Sequence, residues 1–247
     1  MNISNQTSRA LKPLKLRHAL LLFGIPSLVF GLSIYVLMPF LYERGVPLFV
    51  NWLISVGCFA LLLVAAMIGL RKDGYAWRDL KARFRLKPMN KKMWAWSIAC
   101  FIVSLSTYLG LSFTMELLPE IPWLDDTVYL SMFVDTYAGF EYAGNYWIIL
   151  LHLVFMCFNI LGEELWWRGY IFPRQQLRHG KYTWLVHGTL WAFFHIFHFW
   201  DIIKLLPGCL FLSYAIQKTA NTNVGIIYHT LFNSMALWVV ILPKIIV

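Results

Sequence analysis

From Ala19 to Leu41, and again from Leu48 to Leu70, the chain runs twenty-three residues without a charged side chain. A helix of about 20 apolar residues crosses the hydrocarbon core of a bilayer. In lipid no water satisfies an open backbone, so spans of this kind must bond internally, as helices do. Further apolar runs cover roughly 93–117, 146–168, 183–200, 205–217 and 224–243. The composition agrees: 60% of the 247 residues are hydrophobic and 13% charged, against about 45–50% and about 25% in soluble domains. The sequence therefore predicts an all-α integral membrane protein, a polytopic bundle of seven or eight transmembrane helices. The first run is too long for a cleavable signal segment. Gly24-Ile25-Pro26 predicts a kink in it, and Pro207-Gly208 predicts a break in the sixth.

The cations lie between these runs. Segments 1–18, 71–92, 169–182 and 218–223 hold seventeen Lys and Arg, while 42–47, 118–145 and 201–204 hold two. By the positive-inside rule this predicts a multi-pass cell-membrane protein with a cytoplasmic N-terminus. The net charge of +9 then belongs to membrane orientation and to contact with anionic lipid, and nucleic acid is not an expected partner. Asn2 and Asn5 match the glycosylation acceptor pattern, but this orientation places them on the wrong side. Residues 71–92 interleave nine cations with Trp77, Leu80, Phe84 and Leu86. They read equally as a basic amphipathic helix on anionic headgroups or as a plain loop. The loop 118–145 is acidic and external. Its Ile121, Pro122, Trp123, Tyr129, Leu130, Met132 and Phe133 predict that it dips back onto the bundle. Cys58, Cys100, Cys157 and Cys209 sit inside apolar runs without ligand spacing and read as small buried hydrophobes. The expected organisation is an N-terminal part, 1–145, and a core, 146–247.

The exception to apolarity is Glu163-Glu164, in a stretch with no Lys or Arg between Lys92 and Arg168. A carboxylate at membrane depth costs about 2.5–3.5 kcal/mol on insertion scales and is a functional candidate by default. Glu164 and Arg168 are four apart and can pair on one helix face. Glu163 lies about 100° around the helix and needs another partner. Later spans supply polar pairs: His195 with His198, and His229 with Asn233, each at helical spacing. Asn159 stands one turn before Glu163. His152 and His187 have no motif around them and read as satisfied interhelical hydrogen bonders. In an apolar bundle the paired groups must find one another, so a buried polar site is expected.

Two chemistries fit these residues. A glutamate in an apolar pocket can act as a general base near neutral pH, activating water with a histidine, while a second histidine and an asparagine amide bind the developing oxyanion. Alternatively, Glu163, His195 and His229 can ligate a divalent metal such as zinc and leave one position open for water. HExxH, GxSxG and a paired intramembrane aspartate are all absent from the sequence.

Glu163-Glu164-Leu165-Trp166-Trp167-Arg168 matches EExxxR, Trp191 to His195 matches an aromatic-xxx-His motif, and His229 to Asn233 matches HxxxN. In this order the three resemble the CAAX-protease and bacteriocin-processing family of intramembrane endopeptidases. The resemblance covers roughly 146–240. It implies Glu163 as general base, His195 orienting the same water, His229 and Asn233 as oxyanion site, and Glu164 with Arg168 as support. It also implies a membrane-associated peptide or protein substrate. Family members include prenyl endopeptidases that cut after a prenylated cysteine, and bacterial relatives linked to bacteriocin processing and immunity. Phe194 to His198 offers a second frame for the middle motif, but Leu190-Trp191-Ala192 resembles the Trp-led variant and favours His195. Seven spans is one fewer than the eight of the eukaryotic enzymes. A non-catalytic immunity or regulatory scaffold of the same fold is the alternative reading. A transporter, motivated by intramembrane Glu and His, is the third.

Overall fold

The computed structural model describes residues 11–117, 128–134 and 136–246. Asn2, Asn5, and the Glu120, Asp125, Asp126 and Asp135 of the acidic loop lie outside the described residues. The chain is helical almost throughout. Five helical stretches are long and apolar enough to cross a membrane: Leu16–Tyr42, Leu48–Lys72, Lys91–Gly110, Ile148–Thr219 and Asn223–Ile246. The fourth is divided by two 3-10 turns, Gly180–Tyr182 and His195–Asp201, into three helical runs. Among the described residues there are thus seven runs.

Helix α1 (Leu16–Leu32) passes through Pro26 without ending. Its irregularity comes later, as a π turn over Ser33–Leu37, before α2 (Met38–Tyr42). Helix α3 (Leu48–Lys72) starts after Pro47 and ends on Arg71 and Lys72, cations suited to the negative end of the helix dipole. The basic segment that follows carries only short helical pieces. It holds a 3-10 turn, Trp77–Asp79, and a four-residue α4 (Leu80–Arg83). Asn90 caps α5 (Lys91–Gly110) by accepting from Met93 N–H.

The described part of the acidic loop 118–145 folds onto the bundle as expected. It comprises α6 (Val128–Val134) and a hairpin of β1 (Thr136–Tyr137) with β2 (Phe140–Glu141), paired antiparallel with Tyr137 opposite Phe140. Ala138 and Gly139 both have positive φ, 55° and 88°, as a two-residue hairpin turn of this twist requires. Met132 and Tyr137 are fully buried. Tyr137 Oη lies 3.2 Å from His152 Nδ1 and accepts from Trp52 Nε1 at 3.4 Å. His152 therefore bonds the hairpin rather than another helix, where the sequence predicts an interhelical bond.

Helix α7 (Ile148–Glu163) continues as a π segment, Glu164–Ile171, and then as α8 (Phe172–His179). The polar residues 170–182, which the sequence leaves between two spans, are helical because one side of them is buried: Phe172, Arg174 and Gln175 are enclosed by the bundle. His187, fully buried, bonds Gln175 Oε1 through Nδ1 at 2.6 Å. Helix α9 (Thr183–Phe194) packs against α10 (Ile202–Thr219). Pro207 does not break α10, which is longer than the sixth run suggested. Helix α11 (Asn223–Ala236) leads through a π turn, Leu237–Ile241, into α12 (Leu242–Ile246).

The four cation-rich segments meet on one face. Leu14 N–H donates to Arg174 O at 3.0 Å. Asp73 accepts from Arg83 Nη2 at 2.9 Å and pairs with Arg174. Arg85 bonds Gln176, and Arg85 O accepts from Thr222 N–H at 3.0 Å. Asn221 bonds both the N–H and the C=O of Lys87 at 3.1 Å. Burial pushes the Arg83 guanidinium below the ordinary arginine range, the like charge of Arg174 adds to this, and Asp73 opposes it. Cys58, Cys100 and Cys209 are buried and Cys157 is exposed on its helix; all four are free thiols.

Candidate active site

Of the polar groups expected from the sequence, Glu163, Glu164, Arg168, His195, His229 and Asn233 lie together between α7, α9 and α11, and His198 does not join them. Glu163 closes α7, and the next residue opens the π segment. A π segment widens the backbone repeat and is frequent at functional sites. Here it lets Glu163 and Glu164 both turn inward: Glu163 is 2% exposed, Glu164 and Arg168 0%. Burial of two adjacent carboxylates demands partners for each, and the structure supplies separate sets.

Glu164 Oε1 lies 3.0 Å from Arg168 Nη1, the pair expected from i,i+4 spacing. The same oxygen lies 3.1 Å from His229 Nδ1. Arg168 makes an ion pair without a well-directed hydrogen bond. Its guanidinium carbon instead lies 3.5 Å from the centre of the Trp191 ring, a cation–π contact of the kind that gains strength when desolvated. Gly225, in the first turn of α11, makes room for Glu164: a Cβ there would collide with Glu164 Oε2.

Glu163 is not without a local partner, as the sequence suggested. Its Oε1 accepts from Asn159 Nδ2, one turn back, at 3.2 Å, and its Oε2 accepts from Trp191 Nε1 at 2.9 Å. Asn159 Oδ1 in turn accepts from Asn233 Nδ2. The amide of α11 therefore reaches Glu163 through Asn159, and the histidine of α11 reaches Glu164. No hydrogen bond joins Glu163 to a histidine among the described residues.

His195 caps α9, where the helix gives way to the 3-10 turn. Its Nδ1 lies 2.8 Å from Trp191 O. A carbonyl only accepts, so Nδ1 carries the proton and Nε2 of the neutral ring carries the lone pair. The turn is held from α1 and from the π turn after it: Ser27 Oγ donates to Phe194 O at 2.8 Å, and Tyr35 Oη to Phe197 O at 2.6 Å. His198 lies beyond this point, at the one non-helical backbone position in the turn (φ −127°, ψ 60°), with its ring against Phe197 and Trp200. The break separates the two motif frames: His195 stays with Trp191, and His198 turns toward Trp200.

Sequence reasoning missed Trp191 as a site residue and used it only to set a motif frame. The signal was present, since a buried indole needs an acceptor and Glu163 lacked a donor. The residues of the metal set, Glu163, His195 and His229, lie near one another but are not arranged as ligands. Both Glu163 oxygens are engaged by neutral donors, and His229 Nδ1 faces Glu164. Among the described residues, no group of three or more His, Cys, Asp or Glu is placed to hold a metal ion.

Among the described residues, three helices supply the buried carboxylate, imidazole and amide groups of the site: α7, the end of α9, and α11. The family described as Type II CAAX prenyl endopeptidase Rce1-like matches residues 145–235. That match places the segment carrying the site in the CAAX-protease family. No curated protein and no solved structure matches the chain.

Proposed function

We propose that the protein is an intramembrane endopeptidase that hydrolyses a peptide bond in a membrane-associated peptide or protein through a Glu163-activated water. The observation that supports this reading is the link between Glu163 and His195 through Trp191. Each Glu163 oxygen has lone-pair capacity beyond its one hydrogen bond, enough to accept a proton from water. His195 Nε2 accepts from the same water and aligns it. Hydroxide attacks the carbonyl carbon, Glu163 holds the proton, and the proton then passes to the departing amine as the tetrahedral intermediate collapses.

The oxyanion falls to α11. Asn233 has two amide N–H groups and spends one on Asn159, which leaves the second as a donor. His229 spends Nδ1–H on Glu164, so it donates from Nε2 only when it carries both protons. In this reading Glu164 and Arg168 are supports, and His198 lies outside the reacting group. The N-terminus is placed in the cytoplasm, and the shared cationic face meets anionic lipid there.

The test uses the purified full chain in lipid nanodiscs, with prenylated and unprenylated CAAX peptides as probes. Glu163→Ala and His195→Ala are expected to lower kcat by more than a hundredfold with the unfolding transition retained. Undiminished cleavage in both variants refutes the assignment. Chelator treatment with metal rescue separates a metal-bound water from one held by side chains alone.

A further inference from the structure

We infer that Trp191 is a positioning residue for Glu163 and His195: one side chain and its own carbonyl set the spacing of the base and the water-orienting histidine. The inference rests on the proposed role of Glu163. The residue is 4% exposed, and it meets Glu163, Arg168, His195 and His229. Its indole N–H donates to Glu163 Oε2 at 2.9 Å. Its carbonyl accepts from His195 Nδ1 at 2.8 Å. Its ring face covers the Arg168 guanidinium at 3.5 Å. Its ring stands edge-on to those of His195 and His229, at 5.5 and 6.2 Å.

The chemistry of indole explains why this position suits tryptophan. Indole N–H is a donor with no acceptor capacity, so the bond to Glu163 has one polarity and cannot invert. The donor sits on a rigid ring whose face is occupied by a buried cation, and the ring cannot swing without uncovering that cation. The carboxylate thus depends on two donors, and only Trp191 comes from another helix. Asn159 is on the same helix as Glu163 and cannot fix it relative to α9. Loss of the indole bond frees Oε2 to rotate while leaving the ring stack and the His195 bond in place.

Trp191→Phe removes the donor and the second ring of indole and keeps a smaller aromatic face over Arg168. Hydrogen bonds to charged groups are the stronger class, and the expected result is a fall in kcat of at least about tenfold, with KM within twofold of the parent and the unfolding transition retained. A kcat within twofold of the parent, in a chain that Glu163→Ala inactivates, overturns the inference and leaves the proposed function standing. A raised KM with unchanged kcat also overturns it, since that assigns the ring to substrate binding. Full cleavage by Glu163→Ala removes the proposed function and this inference with it.

A second measurement needs neither turnover nor a folded Trp191 variant. Twelve tryptophans give twelve indole N–H signals in 15N-labelled protein, and Trp191 is the one that donates to Glu163 among the described residues. Glu163→Gln weakens the acceptor, so one indole proton is expected to move upfield while the others hold. A spectrum in which no indole proton responds to Glu163→Gln overturns the inference.

Discussion

Gly225→Ala adds one methyl group at the tightest point of the site. An ideal Cβ at 225 falls on Glu164 Oε2, an oxygen without a hydrogen-bond partner among the described residues. Glu164 cannot retreat, because it is fully buried and its other oxygen holds Arg168 and His229. In an open helix, Gly→Ala stabilises by about 1 kcal/mol through propensity. Overpacking a tight site costs about 1–3 kcal/mol, and the cost reaches about 3–5 kcal/mol if the buried Glu164–Arg168 pair is broken. The expected net is destabilisation of about 0–4 kcal/mol, toward the upper end if the pair is broken. Unfolding in mixed detergent and SDS micelles measures it. Glu164→Asp withdraws the carboxylate by one methylene, so the double variant Gly225→Ala/Glu164→Asp is expected to lose less than the sum of the single losses. Non-additivity of this kind is the signature of direct contact. A Gly225→Ala chain more stable than the parent would show the propensity gain unopposed and refute the placement of Glu164.

Two other perturbations follow from the support around the site. Asp73→Ala leaves the buried Arg83 and Arg174 without their carboxylate and is expected to cost about 3–5 kcal/mol, with faster proteolysis of residues 74–87 as the independent readout. Ser27→Ala removes the bond to Phe194 O at the start of the 3-10 turn; about 1 kcal/mol is expected in unfolding, and hydrogen exchange at His195 to Trp200 is expected to accelerate.

The bundle was legible in the sequence because lipid imposes a single rule on the backbone, and long uncharged runs follow from it. The Glu164–Arg168 pair was legible because i,i+4 spacing survives even the π segment. The convergence of Glu163, His195, His229 and Asn233 on one network was legible from the cost of leaving polar groups unpaired in lipid. Which group meets which was not. Asn159 meets Glu163 at plain i,i+4 spacing within α7, but His229 takes Glu164, the first residue of the π segment, and nothing in the residue pattern announces a π segment. The role of Trp191 was hidden for another reason: apolar spans are rich in tryptophan, and one indole among twelve carries no mark. Residues 170–182 read as a break between two spans because their polarity is high, yet Arg174 and Gln175 are polar groups satisfied in the interior.

The Asp73–Arg83–Arg174 cluster has a consequence for modularity. Arg83 Nη1 also donates to Gly169 O at 3.0 Å, inside the π segment, and Phe84 fills the space a side chain at 169 would take. The counter-charge for Arg174 comes from the end of α3, which is synthesised some hundred residues earlier. A graft beginning at residue 145 would inherit every motif and none of this anchorage. The half of the chain that carries the reacting groups borrows its rigidity from the half that carries no motif, and transplanting the chemistry means transplanting the preceding helices with it.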